Sequence, residues 1–190
     1  MILVTGGARS GKSRLAEKLA QQQDGPVLYI ATSQVTDEEM ARRVEQHRRD
    51  RPTHWLTYEG HRDLHQVILD RQHQLAAVLL ECVTTLITNL LFDLAGDTPP
   101  EAMDFDAIEH HVNAQIAQLL DACAEAECEV ILVTNELGMG IVPENLLARR
   151  FRDIAGRVNQ RLAGQARDVW LVVSGIPLHI KGDGVHGAVL

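Results

Sequence analysis

The chain is poor in cysteine, in positive charge and in long apolar runs. It has three cysteines, Cys82, Cys123 and Cys128, in 190 residues. An odd number without regular spacing gives neither a disulfide framework nor a zinc pattern, so free thiols in a reducing compartment are expected. Lys and Arg number 18 against 26 Asp and Glu, a formal net charge of −8. That balance argues against non-specific binding to nucleic acid or to an anionic membrane surface. No apolar run approaches the roughly 18 residues of a membrane span. No charged-then-apolar leader precedes the first strand pattern. The nine histidines show no mixed Cys/His cluster, and His110 and His111 are adjacent, so they diverge on a helix. Neither internal repeats nor low-complexity tracts are present. These absences leave a cytoplasmic, single-domain protein, expected over residues 1–181. The Gly-rich stretch 182–190 is expected to be a flexible tail.

What is present is regular. Hydrophobic residues make up 45% and charged residues 23%, enough apolar material for one sizeable core. Five aliphatic runs recur: Ile2-Leu3-Val4, Val27 to Ala31, Ala76 to Leu80, Val130 to Val133 and Val169 to Val173. Near-continuous β-branched and aliphatic runs are the pattern of strands covered on both faces. Trp55 to Glu59 is a weaker sixth candidate. Between the runs lie helical stripes. Ile108, Val112, Ile116, Leu119 and Cys123 form one, and Leu147, Phe151, Ile154, Val158 and Leu162 form another. Alternating strands and helices predict an α/β fold with right-handed crossovers. Ligands in such sheets bind beyond the carboxyl ends of the strands. That rim would carry Thr5-Gly6, Thr32-Ser33, Glu59, Glu81, Asn135-Glu136 and Ser174.

Residues 6 to 13 read Gly6-Gly7-Ala8-Arg9-Ser10-Gly11-Lys12-Ser13, or G-x-x-x-x-G-K-S. An apolar strand precedes them, and a helical pattern from Arg14 to Gln22 follows, with Leu15 and Leu19 on one face. Strand, loop and helix in that order are the context a phosphate-binding P-loop requires. Its backbone N–H groups would wrap a phosphate chain, and the helix N-terminus would add partial positive charge. Lys12 would reach the β- and γ-phosphates, and the Ser13 hydroxyl would ligate Mg²⁺.

A P-loop enzyme also needs an acid opposite the loop to hold the metal. Glu81 ends one apolar strand and Glu136 follows another, and position alone leaves both open. Glu59 ends the weaker strand, where its carboxylate could accept the two adjacent N–H donors of a guanine.

Thr36-Asp37-Glu38-Glu39 reads as a capping box opening a helix to about Arg49. Met40, Val44 and His47 share one face, with Arg42, Arg43, Arg48, Arg49 and Arg51 around it. His47 is then either a hydrogen-bonded histidine near a helix C-terminus or a nucleophilic imidazole beside an anion site. Spacing does not choose between them.

The ordered set of motifs resembles the bifunctional adenosylcobinamide kinase / adenosylcobinamide-phosphate guanylyltransferase family of cobalamin biosynthesis. Its pieces are Gly6 to Arg14, Tyr29-Ile30-Ala31-Thr32, His47-Arg48 with Arg51-Pro52, Trp55, Glu59 and Glu81-Cys82. Thr88-Asn89-Leu90-Leu91, Thr134-Asn135-Glu136, Gly138 to Pro143 and Phe151 to Gln160 complete it. The likeness runs from Met1 to about Lys181. It implies a RecA-like P-loop NTPase fold and a homotrimer. It implies Mg²⁺, with ATP and GTP as substrates alongside adenosylcobinamide and its phosphate. The γ-phosphate would go to the aminopropanol hydroxyl, and GMP would then be transferred from GTP through a covalent intermediate on His47. Catalysis would fall to His47 and Lys12. Nucleotide would meet Gly6, Gly7, Ala8, Arg9, Ser10, Gly11, Lys12, Ser13, Thr32, Ser33, Gln34, Arg48, Arg49, Asp50, Arg51, Glu59 and Glu81, and Ser13 and Glu81 would hold the metal. A plain small-molecule kinase with a structural His47, or a nucleotide-dependent switch, are the readings that compete.

Overall fold

The computed structural model describes residues 1–34, 38, 42, 45 and 52–183. The chain runs β1 (Ile2–Gly6), α1 (Lys12–Gln21), β2 (Val27–Ala31), β3 (Leu56–Glu59), α2 (Leu64–Arg71), β4 (Ala77–Glu81), α3 (Val83–Ala95), α4 (Phe105–Glu125), β5 (Glu129–Asn135), α5 (Leu146–Gln165), β6 (Asp168–Val173) and β7 (Ile176–Lys181). The strands form one seven-stranded sheet in the order β3-β2-β4-β5-β1-β6-β7. All neighbours are parallel except the β6–β7 hairpin.

The aliphatic runs become strands because both sheet faces are covered. Leu3, Leu28, Ile30, Val78, Leu80, Val130 and Leu132 face a core built with α2, α3, α4 and α5. Ile2, Val4, Val27, Tyr29, Leu79, Ile131 and Val133 point the other way, toward Ala16 and Ala20 of α1 and toward Trp55. The predicted stripe of α4 is buried throughout. In α5 the inner half of the stripe, Ile154, Val158 and Leu162, is fully buried.

Two expectations shift. α1 begins at Lys12 rather than Arg14, and its innermost face is Lys12, Ala16 and Ala20, not Leu15 and Leu19. Small alanines let this helix sit close to the sheet, while the leucines pack at its flanks. The second change is β7, which the aliphatic pattern missed. Ser174 and Gly175 both have positive φ, 51° and 81°, the two-residue hairpin turn that antiparallel strands favour. The following strand alternates, with Ile176, Leu178 and Ile180 exposed. On its other face His179 stacks on Trp170, with ring centroids 4.3 Å apart. Lys181 Nζ donates to Ala163 O and Gly164 O at 2.8 and 2.9 Å. The strand therefore continues to Lys181, and the tail expected after it lies, from residue 184, outside the described residues.

Candidate active site

β1 delivers the chain into the loop between Gly6 and Ser13. A Cβ on Gly6 would stand 2.5 Å from Val172 O and 2.6 Å from Ser10 Oγ, so only glycine fits there. Gly11 has φ 96°, and its added Cβ would meet Gly175 Cα at 3.2 Å. Arg9 takes a left-handed φ of 55°, a curl that L residues adopt at a cost when a loop must fold its N–H groups inward. The loop is buttressed from outside. Gly175 N donates to Ser10 O at 2.8 Å and Glu136 N donates to Gly6 O at 3.0 Å. The β6–β7 turn and the start of the β5–α5 loop thus hold the P-loop between them. Ser10 Oγ is buried without a hydrogen-bond partner among the described residues.

Lys12 is buried, and its Nζ donates to Gly7 O at 3.1 Å, folding the ammonium back over the loop. Burial pulls its pKa below the ordinary lysine value, and the neighbouring Cys82 and Glu81 push the other way. Ser13 Oγ donates to Glu81 Oε1. Tyr29 OH donates to the other oxygen, Oε2, at 3.0 Å. Of the two rival acids, Glu81 is the one that meets the P-loop serine. Glu136 instead accepts from Gly138 N at 2.6 Å. A hydroxyl and a carboxylate side by side form a hard-oxygen donor set of the kind that suits Mg²⁺.

Glu81 is held from behind. Thr32 N donates to Glu81 O at 3.1 Å. Thr32 Oγ1 donates to Cys82 O at 2.8 Å and accepts from Cys82 N at 2.9 Å. Asn89 Nδ2 donates to Thr32 O at 2.6 Å. The Glu81–Cys82 peptide bond is cis. Thr32 is fully buried, with its hydroxyl consumed by Cys82, so it belongs to the wall of the site. Ser33 is half-buried, and Gln34 is exposed.

Register places the acids in a row. Glu81 pairs across to Ala31, and Ala31 to Glu59. Glu59 therefore stands two strands from Glu81, about 10 Å at ordinary strand spacing, and is exposed at the same rim. His47, Arg48, Arg49, Asp50 and Arg51 lie outside the described residues, as does most of the predicted capping box. Within that stretch Glu38, Arg42 and Glu45 are helical, and Arg42 Nη1 lies 3.9 Å from Glu38 Oε2.

Several residues that shape this rim had no individual role assigned from the sequence. Tyr29, which anchors Glu81, was named only as part of the Tyr29-Ile30-Ala31-Thr32 motif. Asn159 of α5 accepts from Thr134 Oγ1 at 2.7 Å and donates to Asn135 O at 3.0 Å, fixing the end of β5. His61, buried after β3, bridges Gln34 and Asp93. Met139, Ile141 and Val142, within the Gly138 to Pro143 motif, are exposed on the loop that follows β5, the loop whose first residue, Glu136, donates its N–H to Gly6 O. A cavity of about 560 Å³, lined by Met1, Ala76 and Glu129 among others, opens at the opposite ends of the strands, away from this chemistry.

With this geometry in place, the likenesses to known proteins are informative. Residues 2–180 match the family model described as cobinamide kinase / cobinamide phosphate guanyltransferase. The chain is 59% identical over 181 residues to the bifunctional adenosylcobalamin biosynthesis protein CobU of Escherichia coli K12, covering 95% of this chain and 99% of that one. It is 58% identical to the protein of the same name from Salmonella typhimurium LT2, at 95% and 99% coverage. It is 40% identical to the bifunctional adenosylcobalamin biosynthesis protein CobP of Pseudomonas aeruginosa PAO1, at 95% and 97% coverage. A solved structure from Pyrococcus horikoshii OT3 shares the fold with a TM-score of 0.57 at 11% identity, covering 100% of this chain and 91% of that one.

Proposed function

The chain belongs to the cobinamide kinase / cobinamide phosphate guanyltransferase family, and on that premise we propose that it is a bifunctional enzyme of adenosylcobalamin synthesis. In the first reaction the aminopropanol hydroxyl of adenosylcobinamide attacks the γ-phosphorus of ATP or GTP. The nucleoside diphosphate leaves and the hydroxyl proton is released. In the second, an imidazole nitrogen of His47 attacks the α-phosphorus of GTP and pyrophosphate leaves. The phosphate oxygen of adenosylcobinamide phosphate then attacks the phosphorus of the GMP–histidine. The N–P bond breaks and adenosylcobinamide-GDP forms.

The observation that carries this reading is the meeting of Ser13 and Glu81 beneath a P-loop, in a chain that matches the family over residues 2–180. Lys12 would exchange Gly7 O for phosphate oxygens and stabilise charge on the group in flight. Ser13 and Glu81 would hold Mg²⁺, which neutralises phosphate charge when bound. Gln34 and Ser33 would border the nucleotide, and Glu59 would receive the base. The arginines Arg48, Arg49 and Arg51 would spread the charge of the attacked and leaving phosphates. Met139, Ile141 and Val142 would offer the corrin ring an apolar platform beside the transferred phosphate. The exposed face of β7, Ile176, Leu178 and Ile180, supports assembly into a homotrimer. Residues 1–181 would act as one domain in the cytoplasm.

The test is incubation with α-labelled GTP followed by denaturing electrophoresis. A protein-bound label that is acid-labile and base-stable, and that His47→Ala abolishes, is the expected result. Label retained in that variant moves the nucleophile elsewhere. No label at all, with phosphoryl transfer intact, leaves a plain kinase.

A further inference from the structure

A hydrogen-bond chain with a buried centre and exposed ends crosses from α3 to the exit of β2. Its centre is His61, 8% exposed, on the loop between β3 and α2. His61 Nε2 lies 2.8 Å from Asp93 Oδ2. His61 Nδ1 lies 2.9 Å from Gln34 Nε2. Arg62 holds Asp93 in a fork, Nε to Oδ2 at 3.0 Å and Nη2 to Oδ1 at 2.9 Å. The Arg62 hydrogen bonds, with a smaller contribution from His61, bring the Asp93 carboxyl down to about 2 against an opposing effect of burial. Asp93 is therefore an ionised carboxylate that only accepts. The loop itself is pinned, because Gly60 N donates to Ala31 O at 3.0 Å.

We propose that His61 is a positioning residue that orients the Gln34 amide so that its carbonyl oxygen faces the bound nucleotide as a hydrogen-bond acceptor. The polarity follows from one end of the chain to the other. Asp93 accepts, so His61 Nε2 carries the proton. In the neutral ring Nδ1 then accepts and takes an N–H of Gln34. An amide fixed through its nitrogen presents its oxygen. The donor it selects is an N–H of the base or an O–H of the ribose. The chain thus turns a freely rotating glutamine into a directional group, which lowers the entropy lost on binding. The inference rests on the reading that Gln34 borders the nucleotide.

The experiment titrates the full-length protein with a fluorescent GTP analogue and measures Kd for His61→Leu, His61→Asn, Gln34→Leu and the double variant His61→Leu/Gln34→Leu. Thermal unfolding checks that each is folded. Loss of one hydrogen bond predicts about three- to tenfold weaker binding for His61→Leu and for Gln34→Leu. The double variant should be no weaker than Gln34→Leu, since His61 acts only through Gln34. His61→Asn, whose side-chain oxygen stands near the place of Nδ1, should recover most of the affinity. Competition with inosine triphosphate and 2′-deoxy-GTP names the donor. The His61→Leu penalty disappears in the analogue that lacks it, and a penalty kept in both narrows the donor to the ring N1–H or the ribose 3′-hydroxyl. Unchanged Kd in His61→Leu, equal loss in His61→Asn, or additive losses in the double variant overturn the proposal. If Gln34→Leu itself has no effect, the placement of Gln34 at the nucleotide is what has failed.

Discussion

Replacing Glu81 by Gln removes one charge and changes little else in shape. Glu81 accepts from Ser13 on one oxygen and from Tyr29 on the other. Glutamine keeps one acceptor and puts an NH₂ group in the other place. One hydroxyl must then turn to accept, and two charge-assisted hydrogen bonds become neutral ones. The expected loss of stability is modest, about 1–2 kcal/mol. The catalytic loss should be much larger. With no carboxylate beside Ser13, divalent metal is held by fewer hard oxygens, and phosphoryl transfer should fall about 10²–10³-fold, the scale seen when one preorganised electrostatic contact is removed. The Mg²⁺ concentration for half-maximal rate should rise. Lys12 responds as well. Glu81 is one of the groups that push the buried ammonium's pKa up against desolvation, so without it that pKa falls further and the alkaline limb of the pH–rate profile moves to lower pH. The assay is phosphorylation of adenosylcobinamide at varied Mg²⁺ and pH, with Glu136→Gln as the comparison. Glu136 is engaged with Gly138, so its variant should keep the metal dependence of the wild type. Activity of Glu81→Gln within about threefold of wild type, with unchanged Mg²⁺ dependence, would refute the reasoning.

Thr32→Val keeps the shape of a fully buried side chain and strands both the N–H and the C=O of Cys82. It should cost about 2–4 kcal/mol in chemical denaturation, and should also slow catalysis by loosening Glu81. Asp93→Asn gives a pH signature. The folded-state pKa of Asp93 is lowered to about 2 by Arg62 and His61, below its unfolded value. The linked stability is therefore present above the unfolded carboxylate pKa and is lost as pH falls toward 2. After solvent screening it should amount to about 1 kcal/mol. Denaturation of wild type and Asp93→Asn should differ at neutral pH and converge between about pH 4 and pH 2. A constant difference across that range contradicts the assignment.

Much of the fold was legible because parallel strands buried on both faces leave uninterrupted aliphatic runs, as in Val27 to Ala31. The hairpin strand β7 was not, because its residues alternate with Pro177, His179 and Lys181 and one face is exposed. Its signal was the Ser174-Gly175 turn, read as an end when it was a reversal. The P-loop declared itself because phosphate binding constrains consecutive residues. Glu81 could be placed at a strand end, yet its partnership with Ser13 and Tyr29 depends on β4 lying beside β2, and strand order is a tertiary property. Thr32 looked like a surface residue of the site because hydroxyls at strand ends often are. The neighbouring Cys82 backbone, 50 positions away in sequence, claims it instead. His61, Asp93 and Gln34 are similarly far apart along the chain, and only packing brings their hydrogen bonds into one line.

The stereochemical course at the α-phosphorus probes the covalent route without altering any residue. GTP made chiral there by sulfur and isotopic oxygen substitution would be turned over with adenosylcobinamide phosphate, and the product's configuration read by phosphorus NMR. Two successive in-line displacements, first onto His47 and then onto the corrinoid phosphate, predict net retention. Net inversion would mean a single direct displacement and would contradict the GMP–histidine.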